Sequence, residues 1–210
     1  MQTNKKTVTE FFDRLAPNWD NTHVPDPAVI GHILKLADIR PGLTVLDVAC
    51  GTGVLFPHYL DRKVKEITGV DLSPAMVALA QKKFPQPNIH LIRADIQACR
   101  FDPPFDRCMV YNALPHFSDP GQLLRQLANC VKPGGRLTIA HGCSKELLDR
   151  YHAAHAAEVS HPLPEAEALS RMLDHWFVVD ICLDDAEKYV VSGLRNDTVT
   201  GSMVPSTDKR

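Results

Sequence analysis

The sequence has no apolar run long enough to span a membrane. It has no CxxC pair: its six cysteines, at 50, 99, 108, 130, 143 and 182, are scattered, and most lie in apolar stretches. That excludes a compact zinc motif and predicts reduced core thiols rather than a disulfide framework. No charge sign dominates. The net charge is -2, so composition offers no broad basic surface, and nucleic acid is not expected as a partner. Internal repeats and low-complexity tracts are absent, which excludes a solenoid. The polar start "MQTNKKTVTE" has no apolar core of a leader, so a cytoplasmic chain is expected.

What is present is the balance of a globular protein. Of 210 residues, 44% are hydrophobic and 23% charged, enough for one sizeable core. Residues 7–20, "TVTEFFDRLAPNWD", read as a short amphipathic helix broken near Pro17. Residues 26–38 read as a second helix with Pro27 at its start. Strands and helices then alternate. "TVLDVA", "KEITGVD", "NIHLIRA", "FDRCMVYN" and "RLTIAHG" read as strands. Helices are expected over 54–61, over "SPAMVALAQKKF", over "GQLLRQLANCV" up to a "KPGG" turn, and over 144–158. Such alternation predicts a mostly parallel sheet between two helical layers. "WFVVDICL" and "KYVVSGLR" are separated only by "DDAE", which permits only an antiparallel pair. The expectation is a Rossmann-like three-layer α/β/α sandwich. Its seven strands take the order 3-2-1-4-5-7-6, with strand 7 antiparallel. Residues 1–195 are expected to form a single domain, with helices over 1–40 and a core over 41–195. Residues 196–210 have no periodicity and read as a flexible tail.

The stretch "TVLDVACGTGVL" carries a glycine pair after a strand. A dinucleotide fingerprint requires a third glycine three residues after the second, and Phe56 stands there. Asp47, inside the strand, would repel a pyrophosphate but could face a cationic ligand. Asp71 ends the second strand, where a carboxylate can accept from both hydroxyls of a ribose. Asp95 ends the third and could accept from the exocyclic amine of adenine. Three carboxylates at the ends of three successive strands suit a ligand with an amino acid, a ribose and an adenine, which describes S-adenosylmethionine.

Here the chain resembles the class I S-adenosylmethionine-dependent methyltransferases. "VLDVACGTG" looks like their first motif, "GVDLSPAMVALA" the second and "RADI" the adenine-side motif. "FDRCMVYNALPHF" and "LANCVKPGGRLTI" look like the fourth strand with its loop and the approach to the fifth. "FFDRLAPNWDN" is similar to the lid helix of the ubiquinone/menaquinone methyltransferase-like subgroup. The resemblance implies that Asp47, Ala49, Gly51 and Gly53 hold the methionine end and Asp71 the ribose. Leu72 and Met76 would pack on adenine, Asp95 and Ile96 would read its edge, and Asn112 would lie near the methyl donor. Trp19 and Asp20 would belong to the lid. The product would be S-adenosylhomocysteine.

A sulfonium donor carries its own activation, so catalytic side chains can be few. His116 in "NALPHF" is the candidate general base or acceptor-orienting group. His141, at the end of the fifth strand, is expected on the rim of an acceptor pocket. His152, His155 and His161 follow it, and with Cys143 they raise the question of a transition-metal site, although the spacing is loose. No domain is inserted after the fifth strand and no NPPY-like motif follows the fourth, so a small-molecule acceptor is expected. Two alternatives remain at this stage. One is a nicotinamide-dependent oxidoreductase using Gly51, Gly53 and Asp71, which Phe56 and Asp47 oppose. The other is a non-catalytic nucleotide-binding module on the same fold.

Overall fold

The computed structural model describes residues 4–196, so the tail expected over 196–210 falls, beyond its first residue, outside the described residues. The chain opens with α1 (Lys5–Leu15), capped by the Asn4 side chain, which accepts from the Lys6 N–H. Pro17 sits in a 3₁₀ turn over Ala16–Asn18, as its missing N–H demands, and α2 (Trp19–Thr22) follows. Asp26 caps α3 (Pro27–Leu36). The core then runs β1 (Thr44–Val48), α4 (Phe56–Asp61), β2 (Glu66–Asp71), α5 (Pro74–Lys83), β3 (Ile89–Arg93) and β4 (Phe105–Tyr111). It continues with α6 (Pro120–Cys130), β5 (Val131–His141), α7 (Lys145–His155), α8 (Ala166–Leu173), β6 (Phe177–Asp184) and β7 (Tyr189–Arg195).

The seven strands take the order β3-β2-β1-β4-β5-β7-β6. β7 runs antiparallel to both β5 and β6, and the pairs from β3 to β5 are parallel. Period-two alternation sends residues of one strand to opposite faces. Leu46 and Val48 of β1 join Cys108 and Val110 of β4 under α6, α7 and α8. Val45 joins Met109 and Tyr111 on the other face, under α3 and α4. Asp47 lies on this second face by the same alternation, two residues from Val45. A third, much smaller cluster has three buried residues: Phe11 of α1 packs with Ala156 and Val159, which follow α7. The first helix is therefore held by its own small apolar contact, outside both main cores.

Two expectations are corrected. "KPGG" does not separate helix from strand, because β5 begins at Val131 directly after α6 and pairs Phe105↔Val131 before a register shift. The positive φ of Gly134 (69°) accommodates that irregularity. The helix expected over 144–158 ends at His155, and α8 forms separately, with Ala166, Leu169 and Leu173 buried on one stripe.

Candidate active site

All the parallel strands point their carboxyl ends to one edge of the sheet. The chain order reverses between β1 and β4, and a crevice opens at such a switch point. A cavity of about 720 Å³ lies there, roofed by α1 and α2. That is within the range of small-ligand sites, about 300–1,000 Å³.

The glycine loop is built unequally. Gly51 has φ 55° and lines the cavity; a Cβ there would meet nothing within 4 Å. Gly53 does not line it. A Cβ on Gly53 would press on the Phe56 and Phe84 rings at 2.7–2.9 Å. Gly69 of β2 likewise makes room for Phe56, at 2.8 Å. Phe56 therefore fills, with its ring, the close helix–strand contact that a third glycine would otherwise create. Ala49 and Asn112, which follow β1 and β4 and line the cavity, both adopt positive φ (54° and 53°), as Asp38 and Lys63 do elsewhere in the fold. The Asn112 side chain accepts from the Gly142 N–H at 2.9 Å, tying the ends of β4 and β5 together.

The three strand-end carboxylates differ. Asp47 is 2% exposed and lines the cavity with no cation beside it. Burial pushes its carboxyl up to about 8, and the charge of Asp71 adds to this. The Tyr59 hydroxyl draws it down in part, without a hydrogen bond of normal geometry. Asp71 accepts from the Gly51 N–H and the Ser73 N–H, both at 2.8 Å. Burial outweighs these bonds and raises its pKa. Asp95 is spread between two tasks: Oδ1 caps a 3₁₀ turn over Ile96–Ala98 through the Gln97 N–H, and Oδ2 pairs with Lys5 of α1. Leu72, Met76 and Ile96 line the same end of the cavity.

The roof is tied down at each strand end. Besides Lys5–Asp95, the Asp13 carboxylate of α1 accepts from Ser73 Oγ at 2.5 Å and the Ala75 N–H at 3.2 Å. Asp20 of α2 accepts from Thr52 Oγ1 at 2.5 Å and Lys83 Nζ at 2.7 Å. Sequence reasoning missed Asp13, Lys5 and Thr52, whose partners lie dozens of residues away.

The histidines separate. His116 lines the cavity, and its Nδ1 lies 3.0 Å from the Val159 carbonyl oxygen. Burial lowers its pKa to about 4, an effect the Val159 carbonyl offsets in part and His152 and His161 increase. His152 and His155 line the cavity from α7. His141 is corrected from the rim to the interior: it is fully buried against Tyr189, does not line the cavity, and neither ring nitrogen has a partner. Burial lowers it to about 3, with His152 and His116 adding. His161 lies instead along a second hollow beside His152. Among the described residues, no group of three or more His, Cys, Asp or Glu side chains could hold a metal ion. No helix among them is long and apolar enough to cross a membrane. All six cysteines are free thiols, and burial pushes Cys50 well above its ordinary value.

Comparison with known proteins agrees with this architecture. A family described as "Methyltransferase domain" matches residues 45–135. The malonyl-[acyl-carrier protein] O-methyltransferase of Pseudescherichia vulneris is 32% identical over 195 residues, covering 87% of this chain and 76% of that protein. The demethylmenaquinone methyltransferase of Renibacterium salmoninarum is 30% identical over 141 residues, 63% of this chain and 57% of that protein. In fold, the N-methyltransferase NodS of Bradyrhizobium japonicum WM9, solved with S-adenosyl-L-homocysteine, superposes with a TM-score of 0.70. It is 17% identical and covers 90% of this chain and 98% of that one. The chain belongs to the class I S-adenosylmethionine-dependent methyltransferases.

Proposed function

We propose that this enzyme methylates a small-molecule acceptor, with S-adenosylmethionine lying along the ends of β1, β2 and β3. The observation that carries the reading is the pairing of an open, side-chain-free Gly51 with the buried, cation-free carboxylate of Asp47 in one cavity. Such a pair fits a ligand with a cationic head and suits a pyrophosphate poorly. Asp71 has lone pairs left on both oxygens to accept ribose hydroxyls. Leu72, Met76 and Ile96 would flank the adenine. When bound, the cofactor supplies an electrophilic methyl group. The chain's own residues position the acceptor and exclude water.

In this reading α1 and α2, residues 5–22, act as a lid, while α3 belongs to the main core. The lid's small separate core and its polar ties to Ser73, Thr52, Lys83 and Asp95 give it the means to close and release. The chain to residue 195 works as one methyltransferase domain, and its free thiols suit a reducing, cytoplasmic setting.

Calorimetry with S-adenosylhomocysteine tests the assignment. Asp71→Ala is expected to weaken binding by roughly 1.5–3 kcal/mol, the range for hydrogen bonds to a charged group. Equal affinity in the variant would remove Asp71 from the ribose site, and binding of NAD in preference would favour the oxidoreductase alternative.

A further inference from the structure

We propose that the acceptor end of the cavity is a box of aromatic rings that takes an uncharged, flat hydroxyarene and methylates its hydroxyl oxygen. This rests on the cofactor placement proposed above. Six rings from four separate segments form a closed circuit. Trp19 of α2 stacks on His23 at 3.8 Å between centroids. His23 meets Tyr151 of α7 at 6.5 Å, and its Nε2 lies 3.2 Å from the Tyr151 hydroxyl. Tyr151 meets His152 at 6.1 Å, and His152 meets His116 at 5.2 Å. His116 meets Phe12 of α1 edge-on at 4.9 Å, and Phe12 returns to Trp19 at 5.6 Å. All six line the cavity.

The charge around the box selects among acceptors. The cavity's strand-end acids, Asp47, Asp71 and Asp95, belong to β1, β2 and β3. The box is built from the roof, from the turn after β4, and from α7. Both the lysine and the arginine cation of the described lining are committed: Lys5 pairs with Asp95, and Arg14 is turned to Glu158 at 3.6 Å and lies over the Phe11 ring. A carboxylate acceptor would find no free cation in the ring circuit. An ammonium acceptor would meet ring faces but no free carboxylate to pair with, because Asp149, beside His152, is held by Lys145 and the Leu163 N–H. The three imidazoles are themselves uncharged near neutral pH, because burial lowers the pKa of His23, His116 and His152 alike. A neutral aromatic ring stacks edge and face in such a lining. Val24, 78% exposed, and Pro25 make an apolar rim that tolerates substituents on that ring.

His116 fits the hydroxyl. The Val159 carbonyl can only accept, so it fixes the proton on Nδ1 and leaves Nε2 with the lone pair. In the transfer, the arene oxygen gains the methyl carbon, and the carbon–sulfur bond leaves its electron pair on sulfur. The hydroxyl proton passes to Nε2 and on to solvent. That proton becomes strongly acidic as the oxygen–carbon bond forms, so an imidazole of low pKa takes it.

The test uses the whole chain loaded with S-adenosylhomocysteine, titrated with 1-naphthol and followed by naphthol fluorescence. 1-Naphthoate and 1-naphthylmethylammonium are the matched anion and cation. Naphthol is expected to bind at least about tenfold tighter than either. Tyr151→Leu is expected to weaken naphthol about tenfold while Tyr151→Phe, which keeps the ring, does not. Both variants should bind S-adenosylhomocysteine as the parent does. With ¹³C-methyl-labelled S-adenosylmethionine, the labelled aryl methyl ether is expected. His116→Phe should still bind naphthol but turn over at least about tenfold more slowly. Tighter binding of naphthoate or of the ammonium, or unchanged naphthol affinity in Tyr151→Leu, overturns the proposal. Loaded protein that ignores naphthol overturns it too and leaves the cofactor site intact, whereas protein that does not bind S-adenosylhomocysteine overturns the cofactor placement itself.

Discussion

Thr52, in the glycine loop, donates to the Asp20 carboxylate of α2 at 2.5 Å, while Lys83 of α5 holds the other carboxylate oxygen at 2.7 Å. One acid in the roof thus reaches two sides of the crevice. Burial alone would raise its pKa, but the Lys83 and Thr52 bonds and the Lys83 charge prevail and lower it. Asp20→Ala is expected to lose two bonds and free the roof, at about 1–2 kcal/mol. The outcome is roughly tenfold faster release of S-adenosylhomocysteine in stopped flow. An unchanged off-rate would show that α2 does not retain the cofactor.

The two loop glycines should fail differently. Gly53→Ala drives a methyl group into the Phe56 and Phe84 rings at a φ of 84°. It is expected to cost about 2–4 kcal/mol of stability, from overpacking and left-handed backbone. Gly51→Ala meets open space and should cost only about 1–2 kcal/mol, chiefly from its φ of 55°. Its damage should appear as lost cofactor affinity, because the methyl group points into ligand space. Urea unfolding and calorimetry on the two variants separate these effects.

Asp47 predicts a proton. With its carboxyl near 8, it is mostly protonated at pH 7 in the empty cavity. A cationic ligand beside it favours the charged form. Binding of S-adenosylmethionine at pH 7 should therefore release most of one proton. Calorimetry in buffers of different ionisation enthalpy measures it, and Asp47→Asn should abolish it. In the ligand-free protein the linkage runs the same way. The folded state holds a proton that the unfolded carboxyl has lost above about 3.8, so this residue costs stability as pH rises from about 4 through 8.

The buried histidines act at acid pH. The unfolded chain takes protons near 6.5, while folded His116 and His141 wait until about 4 and about 3. Their contribution is fully present above pH 6.5 and is lost as pH falls through those folded values. The urea midpoint should drop between pH 7 and 4. His141→Phe, which removes two unpartnered ring nitrogens beside Tyr189, should flatten that drop. A variant with the parent's slope would show that His141 does not carry the effect.

The sheet order was legible because local patterns fix it: buried strands, capped helices, and a four-residue link that can only reverse direction. That the three acids line one cavity was legible for a related reason, since Asp47, Asp71 and Asp95 each stand at or near the end of a parallel strand. The packing of Gly53 under Phe84 and Phe56 was not legible, because a glycine next to a ligand looks the same in sequence as one under a ring. His141 was misread because strand ends can turn inward under a following helix. The ring circuit left no trace. Phe12, Trp19, His116 and Tyr151 share no period, and only the folding of α1 and α7 over one crevice brings them together.

Phe56 carries a consequence for how such a chain can vary. Its ring occupies space that Gly53 and Gly69 leave free on two different elements. Enlarging Gly53 crowds Phe84 as well as the phenylalanine, enlarging Gly69 crowds Leu91 and Cys50 as well, and shrinking the phenylalanine alone opens a void among them. Positions 53, 56 and 69 should therefore change together with 50, 84 and 91 in any selected library. Replacing Phe56 with glycine to imitate a dinucleotide fingerprint should yield a destabilised methyltransferase with no gain in affinity for NAD.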